Sequence, residues 1–489
     1  MHYRFIATLV CYLLTSLITS AQDAPPNIVL IMADDHGRWA TSVYGDKRIR
    51  TPNLDYLAKN GVVFNAASSP APVCSPARAS FFTGKLPSQH GVHDFLSEDS
   101  PYDQNTYLVG ETLLSEKLQS VGYAVGLFGK WHASEKSHLP KRGFDQWISY
   151  DQRETNWMNQ YLHAGEVHFS INGKAVRKTE TQAWYLTEQA LAFVDTLQTQ
   201  PFFLCMTYVE PHFPFADLPE RTVDTYRSFA QEIVPYGDTS WPGRSTSNEE
   251  NVPEHEEWVA QYLAAVTLLD EQIGRMLDGL QARDMLENTI FIYTSDHGHM
   301  TGQYGLYGKA NASRPHNLTE ETLNIPLIIS GPKGLIRPGQ VRSEFVNLCD
   351  LHETIVDYAN FSYDRPTPPP QGPGKSLIQI LSGQRIPDWR EYQFAEYGNA
   401  RSVSNGHWKL IRYYAQSRSD PPVDQWFDLS NPRGERAPSA QPSEATQAIF
   451  VAELESFFAQ YETEAHSGKT VWNQGPFNSM EPWKRLPQP

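Results

Sequence analysis

The chain has 489 residues, which is long enough to bury a large hydrophobic core and to form more than one domain. Its formal net charge of −16 excludes nucleic-acid binding by bulk electrostatic attraction, because nucleic acids are polyanions. A polyanionic substrate would also be repelled by the protein as a whole, so its attraction requires a local basic pocket.

The first 21 residues have the pattern of an export signal. Arg4 supplies a positive start, Ile6 to Ile18 form an apolar stretch, and Thr19-Ser20-Ala21 is a small-residue cleavage site. The apolar stretch is shorter than a membrane span, and no later segment resembles one. We therefore expect an exported protein, periplasmic or extracellular, without a membrane-spanning helix.

Three cysteines remain after removal of the signal: Cys74, Cys205 and Cys349. Exported proteins that depend on disulfides usually carry more cysteines, in even number. Cys205 lies in the apolar run 202–206 and is predicted to be a small core residue. A disulfide between Cys205 and Cys349 remains a less favoured alternative.

Residues 22–385 alternate short apolar runs with amphipathic helices. This alternation is typical of an α/β domain with a large, mostly parallel sheet flanked by helices. Strands are predicted over residues 27–33, 124–128, 202–209, 289–294 and 327–330. Helices are predicted over residues 52–59, about 109–119 and 181–197, and an apolar stripe from Val259 to Leu280 predicts a longer one. For the helix over residues 52–59, Thr51 is the expected N-terminal cap and Gly61 is the expected stop.

A Pro/Gly-rich segment from Tyr363 to Gly374 is predicted to be a surface connection. Beyond it, residues 386–489 are expected to form a smaller C-terminal α+β domain and a tail. Short antiparallel strands are predicted over residues 391–397, 407–414 and 426–429. A helix over residues 444–461 and an irregular tail over residues 466–489 are expected to follow.

The segment Cys74-Ser75-Pro76-Ala77-Arg78 is the most informative part of the sequence. Pro76 predicts the start of a helix that Gly84 closes, so Cys74 is expected at the helix N-terminus. Free backbone N–H groups and the positive end of the helix dipole stabilise an oxyanion bound at that place. Arg78, one turn later, adds a planar set of donors that suits tetrahedral oxyanions. A helix N-terminus with a small buried cysteine is the structural alternative.

Four polar clusters directly follow predicted strands. They are Asp34-Asp35-His36, Lys130-Trp131-His132, Glu210-Pro211-His212 and Asp296-His297-Gly298-His299. Open α/β sheets place their binding sites at the carboxyl ends of the strands, so these clusters are expected to meet. Two adjacent carboxylates repel each other, and a bound cation is the simplest reason to bury them together. The aspartates of these clusters and the His297 imidazole therefore suit a divalent cation.

The pattern Cys-x-Pro-x-Arg at 74–78, together with these clusters, resembles the type I sulfatases of the alkaline phosphatase superfamily over nearly the whole mature chain. The resemblance implies a sulfuric ester hydrolase in which a maturation enzyme oxidises Cys74 to formylglycine (3-oxoalanine). It implies one bound calcium ion, with the ligands Asp34, Asp35, Cys74 in its modified form, Asp296 and His297. It also implies a set of catalytic residues: Cys74, Arg78, Lys130, His132, His212 and Lys309.

Some of these positions depend on the resemblance more than others. Lys309 is assigned by the resemblance alone and would otherwise be interpreted as an exposed loop lysine. Many members of the family have asparagine where His297 stands. Calcium prefers oxygen ligands, so a histidine at this position supports calcium as the metal less strongly than an asparagine would. An acidic residue is frequent in the family at the position of His299, which is therefore a candidate substrate contact. Further candidate substrate contacts are His93, Asp94, Arg314 and His316.

The sequence thus predicts an exported sulfatase that acts on a sulfated carbohydrate. A phosphodiesterase or phosphonate monoester hydrolase of the same superfamily remains an alternative, because some of these enzymes share formylglycine and the metal ligands. A glycan-binding protein with an unmodified Cys74 is the non-enzymatic alternative. A tyrosine-phosphatase-like cysteine enzyme is excluded, because its phosphate loop requires a longer separation than the three residues between Cys74 and Arg78.

Overall fold

The structure is a computed structural model that describes residues 25–96, 106–151, 167–215, 217–235, 241, 244–245, 254–361, 369–415, 420–431, 434–436 and 441–474. The expected export signal, residues 1–21, lies outside these ranges. The same is true of residues 363–368 in the Pro/Gly-rich connection and of the last part of the tail, residues 475–489.

A ten-stranded sheet forms the centre of the molecule. In chain order its strands are β1 (Asn27–Ala33), β2 (Gly61–Phe64), β3 (Ala124–Gly129), β4 (Gln146–Tyr150), β5 (Val167–Ile171), β6 (Lys174–Lys178), β7 (Phe202–Thr207), β8 (Thr289–Ser295), β9 (Leu327–Ser330) and β10 (Gln340–Arg342). Their spatial order is β10-β2-β9-β8-β1-β7-β3-β4-β5-β6. The central strands β8, β1, β7, β3 and β4 are parallel, whereas β9, β5 and β6 pair antiparallel with their neighbours. The predicted large, mostly parallel sheet is confirmed.

The central strands are apolar because both faces of the sheet are covered. Every residue of β1, β7 and β8 is buried, as expected for parallel strands that have helices on both sides. Alternate residues of β1 enter two different core clusters, one on each face. Ile28, Leu30 and Met32 belong to one cluster, and Val29 and Ile31 belong to the other.

Helices cover both faces of this sheet: α1 (Pro52–Lys59), α2 (Cys74–Thr83), α3 (Leu114–Ser120), α4 (Gln182–Asp195), α5 (Glu220–Arg227), α6 (His255–Gln281) and α7 (Leu348–Phe361). The long helix α6 is the one predicted from the apolar stripe, and it packs against α1, α4 and α5. On the other face α2 packs against α7, and His352 Nδ1 donates a hydrogen bond to the carbonyl oxygen of Phe81 (2.8 Å).

Several boundaries differ from the sequence prediction. The helix expected from about residue 109 begins at Leu114, because Gly110 adopts a left-handed φ of 81° and Leu113 is extended. Thr51 does not cap α1, since its hydroxyl contacts the Ser42 hydroxyl (2.6 Å) instead of the helix backbone. The strand predicted to reach residue 209 ends at Thr207.

Residues after the large sheet form a smaller four-stranded antiparallel sheet. Its strands β11 (Gln393–Tyr397), β12 (Ala400–Ser404), β13 (Trp408–Tyr413) and β14 (Val423–Asp428) pair in chain order, and α8 (Glu444–Tyr461) packs on β12. The predicted small α+β unit is confirmed, although β12 was not predicted. The tail is not wholly irregular, because Gly468–Asn473 form a 3₁₀ helix.

A buried ionic network joins this small unit to the main one. Arg401 Nη2 donates to Ser88 Oγ (3.0 Å) and to Glu462 Oε2 (2.7 Å), and Glu396 accepts the Ser88 N–H (2.7 Å). Ser88 lies in the short helix Pro87–His90, which follows α2 in the chain. We retain residues 22–385 and 386–489 as our proposed limits of the two domains.

The structure also tests the expected state of the cysteines and the expected lack of a membrane-spanning helix. Cys74, Cys205 and Cys349 are all buried and unpaired, so the alternative disulfide is not formed in the part of the chain that the structure describes. Cys205 lies in a hydrophobic core cluster, as predicted. Among the described residues, no helix has both the length and the apolarity needed to cross a bilayer.

Candidate active site

The four polar clusters meet at one edge of the large sheet, because they follow four neighbouring parallel strands. Asp296 comes directly after β8, Asp34 after β1 and Lys130 after β3, while His212 follows β7 at a distance of five residues. In space these strands stand next to one another in the order β8-β1-β7-β3. The prediction that carboxyl ends of parallel strands bring these residues together is confirmed.

Cys74 is the first residue of α2, and Val73 before it is extended (φ −149°, ψ 144°). The helix therefore begins two residues before Pro76 and not at the proline itself. It ends at Gly84, whose φ of 72° is the left-handed conformation expected of a helix-ending glycine. All ten residues of α2 are buried, and the Cys74 sulfur lies 3.3 Å from Asp34 Oδ1.

Carboxylates and an imidazole surround the Cys74 sulfur. His297 Nε2 lies 3.4 Å from Cys74 Sγ, 3.2 Å from Asp35 Oδ1 and 3.6 Å from Asp296 Oδ1. The ligand atoms of Asp34, Cys74, Asp296 and His297 all lie within 4.8 Å of one another. A second set that satisfies the same distance consists of Asp34, Asp35, Cys74 and His212. Either set could bind a metal ion.

The backbone of this cluster is held by close contacts. Gly298 N–H donates to the carbonyl oxygen of Thr322 (2.9 Å), and a Cβ at position 298 would lie 2.1 Å from the carbonyl oxygen of Glu321. Only glycine fits there. Asp35 has a φ of 63°, which is strained for a residue with a side chain, and the Tyr262 hydroxyl donates to its carbonyl oxygen (2.6 Å).

Arg78 and Lys130 contact the aspartates from the side of α2 and β3. Arg78 Nε donates to Asp296 Oδ2 (2.9 Å), and its Nη1 donates to the carbonyl oxygen of Lys130 (2.7 Å). The Lys130 ammonium donates to Asp34 Oδ2. These side chains are fully or almost fully buried, so each charge depends on its partner for solvation.

Lys309 joins the site from a distant loop. Its Nζ lies 2.6 Å from Asp35 Oδ1 and 2.8 Å from Cys74 Sγ. Each of the three aspartates thus has at least one lysine or arginine partner. The interpretation of Lys309 as an exposed loop residue, which its sequence context alone would favour, is wrong: its side chain is buried.

The pKa values of this site follow from burial and from the packing of opposite charges. Burial raises the pKa of the Cys74 thiol, but Lys130, Lys309 and His297 outweigh that effect and hold it well below its ordinary value. Burial raises the pKa of Asp296 to about 6. For His297, burial acts to lower the pKa, but the Asp296 carboxylate raises it to about 9. Burial acts to raise the pKa values of Asp34 and Asp35, but Lys130, Lys309 and neighbouring histidines outweigh it, so both pKa values are lowered. A cation bound beside Asp296 would favour the charged form of that carboxyl as well.

Two further histidines line the cluster. His132 Nε2 donates to the carbonyl oxygen of Leu96 (2.6 Å), and burial lowers the pKa of His132, so that its imidazole is neutral. His212 Nε2 lies 3.6 Å from Asp35 Oδ2, while its Nδ1 donates to the carbonyl oxygen of Phe213. Each ring is therefore oriented by one backbone carbonyl, which also fixes one nitrogen as the protonated one.

His299 is the candidate substrate contact that the structure places within the cluster. Its Nδ1 lies 3.3 Å from Asp35 Oδ2, and its ring is stacked on that of Tyr262 (centroids 5.4 Å apart, planes at 10°). The Trp39 indole N–H donates to the carbonyl oxygen of His299 (3.0 Å).

His93 and Asp94 each contact a residue of the C-terminal unit. His93 Nε2 donates to the carbonyl oxygen of His466 (2.7 Å), and the Asp94 carboxylate accepts a hydrogen bond from the Tyr397 hydroxyl. Both side chains thus connect the segment after the helix Pro87–His90 to the C-terminal unit. These contacts are structural, and a role in substrate binding stays a prediction.

Arg314 and His316 both donate hydrogen bonds to backbone carbonyl oxygens. Arg314 Nη1 donates to the carbonyl oxygen of Ser313 (2.8 Å). His316 is fully buried, its Nε2 donates to the carbonyl oxygen of Tyr397 (2.9 Å), and the rings of Tyr397 and Tyr413 contact it edge-on. His316 Nδ1 has no hydrogen-bond partner among the described residues. The bonded Nε2 and the two edge-on rings favour a structural role for this buried imidazole.

The sequence assigns no separate role to Tyr262 or to Glu210, although Glu210 belongs to one of the four polar clusters. Tyr262 was interpreted as one residue of an apolar helix stripe, yet its hydroxyl holds the Asp35 backbone. Glu210 is buried, neither carboxyl oxygen has a partner among the described residues, and burial raises its pKa to about 7. Its backbone carbonyl accepts the Asp34 N–H (3.4 Å). The position of Glu210 after a buried strand was the available signal.

Known proteins resemble this chain in sequence and in fold. The family model described as Sulfatase matches residues 26–361, and the model described as N-sulphoglucosamine sulphohydrolase, C-terminal, matches residues 302–445. The N-acetylglucosamine-6-O-sulfatase of Bacteroides thetaiotaomicron is 27% identical, over 83% of this chain and 81% of that protein. The ulvan-active sulfatase of Formosa agariphila is 31% identical, over 83% of this chain and 76% of that protein.

A solved structure shares the fold. It shows a protein in complex with its substrate D-glucosamine-2-N,6-O-disulfate, and it aligns with a TM-score of 0.74 at 22% identity, over 90% of this chain and 99% of that one. The Sulfatase model covers more than half of the present chain, including every residue of the cluster around Cys74. The chain therefore belongs to the sulfatase family of the alkaline phosphatase superfamily and is a sulfuric ester hydrolase.

Proposed function

We propose that this sulfatase is exported and removes sulfate from a carbohydrate, using a formylglycine at position 74 and one calcium ion. The observation that carries the proposal is the place of Cys74 at the start of α2, with its sulfur 3.3 Å from Asp34 Oδ1 and 2.8 Å from Lys309 Nζ. A nucleophile at this point lies between the carboxylates that would hold a cation and the cationic side chains that would hold an anion.

The donor set is compatible with calcium. Asp34, Asp35 and Asp296 supply buried carboxylate oxygens, which calcium prefers, and His297 supplies one nitrogen. Burial raises the pKa of Asp296, and a bound cation would favour the charged form of its carboxyl. Calcium, when bound, would neutralise sulfate oxygens and lower the pKa of a hydroxyl at residue 74.

A formylglycine at position 74 would supply, as its hydrate, two hydroxyls on one carbon, one to attack sulfur and one to permit release of sulfate. Arg78 lies one turn further along α2 and is fixed by Asp296 and by the carbonyl oxygen of Lys130. This position supports a role of Arg78 in orienting residue 74. The ammonium groups of Lys130 and Lys309 would share the negative charge that develops on the sulfate oxygens.

Proton transfer falls to the two histidines and to Lys309. His212 has Nε2 on the side of the cluster. As an imidazolium, protonated on both nitrogens, it would give the Nε2 proton to the departing alcohol and keep the proton on Nδ1. Lys309 is the second candidate for that role. His132 is neutral and hydrogen-bonds to residue 74, so it would accept the proton of the second hydroxyl.

Two observations support a sulfated carbohydrate as the proposed substrate: the names of related proteins and the charge of this one. The two relatives are named for N-acetylglucosamine 6-O-sulfate and for ulvan, which supports a sulfated carbohydrate. The net charge of −16 requires the local cations Arg78, Lys130 and Lys309 to attract the sulfate group.

Two measurements on enzyme purified from its native host test the proposal. Mass spectrometry of the peptide that contains residue 74 should show formylglycine. The calcium-loaded enzyme should hydrolyse N-acetylglucosamine 6-sulfate and nitrophenyl sulfate with a higher kcat/KM than nitrophenyl phosphate or a phenylphosphonate monoester. An unmodified Cys74 would favour the glycan-binding alternative, and preference for the phosphonate would favour a phosphonate monoester hydrolase.

A further inference from the structure

Phe213 is a large apolar side chain that is exposed beside the candidate active site. It follows His212 directly and is 42% exposed, whereas His212 is 6% exposed. Its ring is stacked on that of Trp258, with centroids 5.1 Å apart and planes at 21°. An exposed aromatic ring next to reactive groups is a candidate contact for the substrate.

Buried aromatic rings support Phe213 from behind. Trp258 is 6% exposed and contacts Phe215 edge-on at 5.2 Å and Tyr307 edge-on at 5.7 Å. Phe215 contacts Tyr262 edge-on at 6.1 Å. Because these rings belong to the core between α5 and α6, Phe213 rests on a rigid base.

The aromatic cluster lies beside both candidate proton donors. Phe213 is attached to His212, whose Nε2 is 3.6 Å from Asp35 Oδ2. Tyr307, which contacts Trp258, stands two residues before Lys309 at the Cys74 sulfur. The alcohol of a sulfate ester must lie next to the group that protonates it as it departs. The alcohol part of the substrate is therefore expected at this aromatic surface.

We propose that Phe213, supported by Trp258, is a stacking platform for the apolar face of the pyranose ring that carries the sulfate. This inference rests on the proposed function and adds to it a residue that determines specificity. Phe213 and Trp258 carry no charge, so they select the shape and polarity of the leaving group, while the cationic cluster binds the sulfate group.

Kinetics can separate these two kinds of recognition. Phe213→Ala keeps the backbone carbonyl that orients His212. We expect the variant to raise KM for N-acetylglucosamine 6-sulfate by about 3- to 10-fold more than KM for ethyl sulfate, which has no ring. Phe213→Tyr should restore the wild-type ratio of the two KM values, because tyrosine keeps an aromatic ring at this position. Tyr56→Ala, which removes a 48% exposed aromatic side chain from α1, is the matched control and should leave the ratio unchanged.

A binding measurement tests the platform without turnover. Saturation-transfer NMR with N-acetylglucosamine should show transfer to its ring protons in wild type and in Tyr56→Ala, but not in Phe213→Ala. If wild type hydrolysed no sulfate ester yet showed this pattern, the proposed function would fail and the platform would stand. Equal saturation transfer to the sugar from Phe213→Ala and from wild type would overturn the platform. So would an equal increase in KM for the two sulfate esters in Phe213→Ala.

Discussion

The Lys309 ammonium lies 2.8 Å from the Cys74 sulfur, although 235 residues separate the two in the chain. The same ammonium lies 2.6 Å from Asp35 Oδ1. Asn317 Nδ2 donates to the carbonyl oxygen of Lys309 (3.2 Å) and so helps to hold the loop in place. Lys309 therefore connects the expected nucleophile to the expected metal ligands, and its charge acts on both.

Loss of a metal ligand should remove both activity and stabilisation by calcium. Chelation should abolish activity, and calcium should restore it better than zinc does. Calcium should raise the Tm of wild type, because a ligand that binds only the folded state stabilises it by about 2.7 kcal/mol at 100 times Kd. Asp296→Ala should show no such increase in Tm. Asp46→Ala, which removes a half-buried partner of Arg48, is the control and should respond as wild type does. Equal calcium responses in all three proteins would contradict the assignment of Asp296.

Substitutions of Cys74 should distinguish folding from chemistry. Cys74→Ala should fold but be inactive, because the residue would no longer supply a nucleophile. Cys74→Ser should accumulate a sulfated enzyme, because a single hydroxyl can attack sulfur but leaves no second hydroxyl for release. Intact-protein mass spectrometry after addition of substrate measures the added sulfate. Cys349→Ala, at a buried cysteine outside the cluster, should retain turnover. Wild-type turnover by Cys74→Ser would rule out the formylglycine mechanism.

His212→Ala should affect substrates according to their leaving groups. A sugar alkoxide is strongly basic and needs a proton as the S–O bond breaks, whereas nitrophenolate does not. We expect kcat/KM for a sulfated sugar to fall by about 10²–10⁴-fold, and kcat/KM for nitrophenyl sulfate to fall far less. Arg78→Ala should reduce kcat/KM for both substrates, because orientation of the nucleophile matters for any leaving group. If His212→Ala reduced kcat/KM equally for the two substrates, His212 would be a sulfate-binding residue. Lys309 would then remain as the general acid.

His316 should make folding stability depend on pH. Burial lowers its pKa to about 3, whereas the unfolded imidazole titrates near 6.5. Between these values the unfolded state binds more protons, so the contribution of His316 is complete above pH 6.5 and is lost as the pH falls toward 3. Below pH 6.5, wild type should lose about 1.4 kcal/mol of unfolding free energy per pH unit more than His316→Asn.

Urea unfolding of both proteins at pH 7.5, 6 and 5 measures this difference. Parallel pH dependences would contradict a buried neutral imidazole at position 316. At pH 7.5 the two proteins should have the same KM, because His316 is buried in contact with Tyr397 and Tyr413. A raised KM in His316→Asn would instead support the original assignment of His316 as a substrate contact.

Local patterns in the sequence were sufficient to predict the central architecture. The runs 28–33 and 290–293 consist of aliphatic and aromatic residues, because parallel strands under helices on both faces bury all their side chains. The stripe of α6 repeats at helical spacing, so its period also identified the element. The polar clusters could be assigned to one place because parallel strands end at the same edge of a sheet.

Other features depend on contacts between distant parts of the chain, and no local pattern encodes them. The edge strand β6 is mostly exposed and has no apolar period, so only pairing with β5 defines it. Lys309 and Tyr262 have ordinary local contexts, a loop and a helix stripe, yet both contact Asp35 or its backbone. The sequence by itself thus determined which residue types were available for chemistry and which strand ends would carry them. Tertiary structure decided which of them share one charge cluster, because burial forces each charged group to find its partner across the fold.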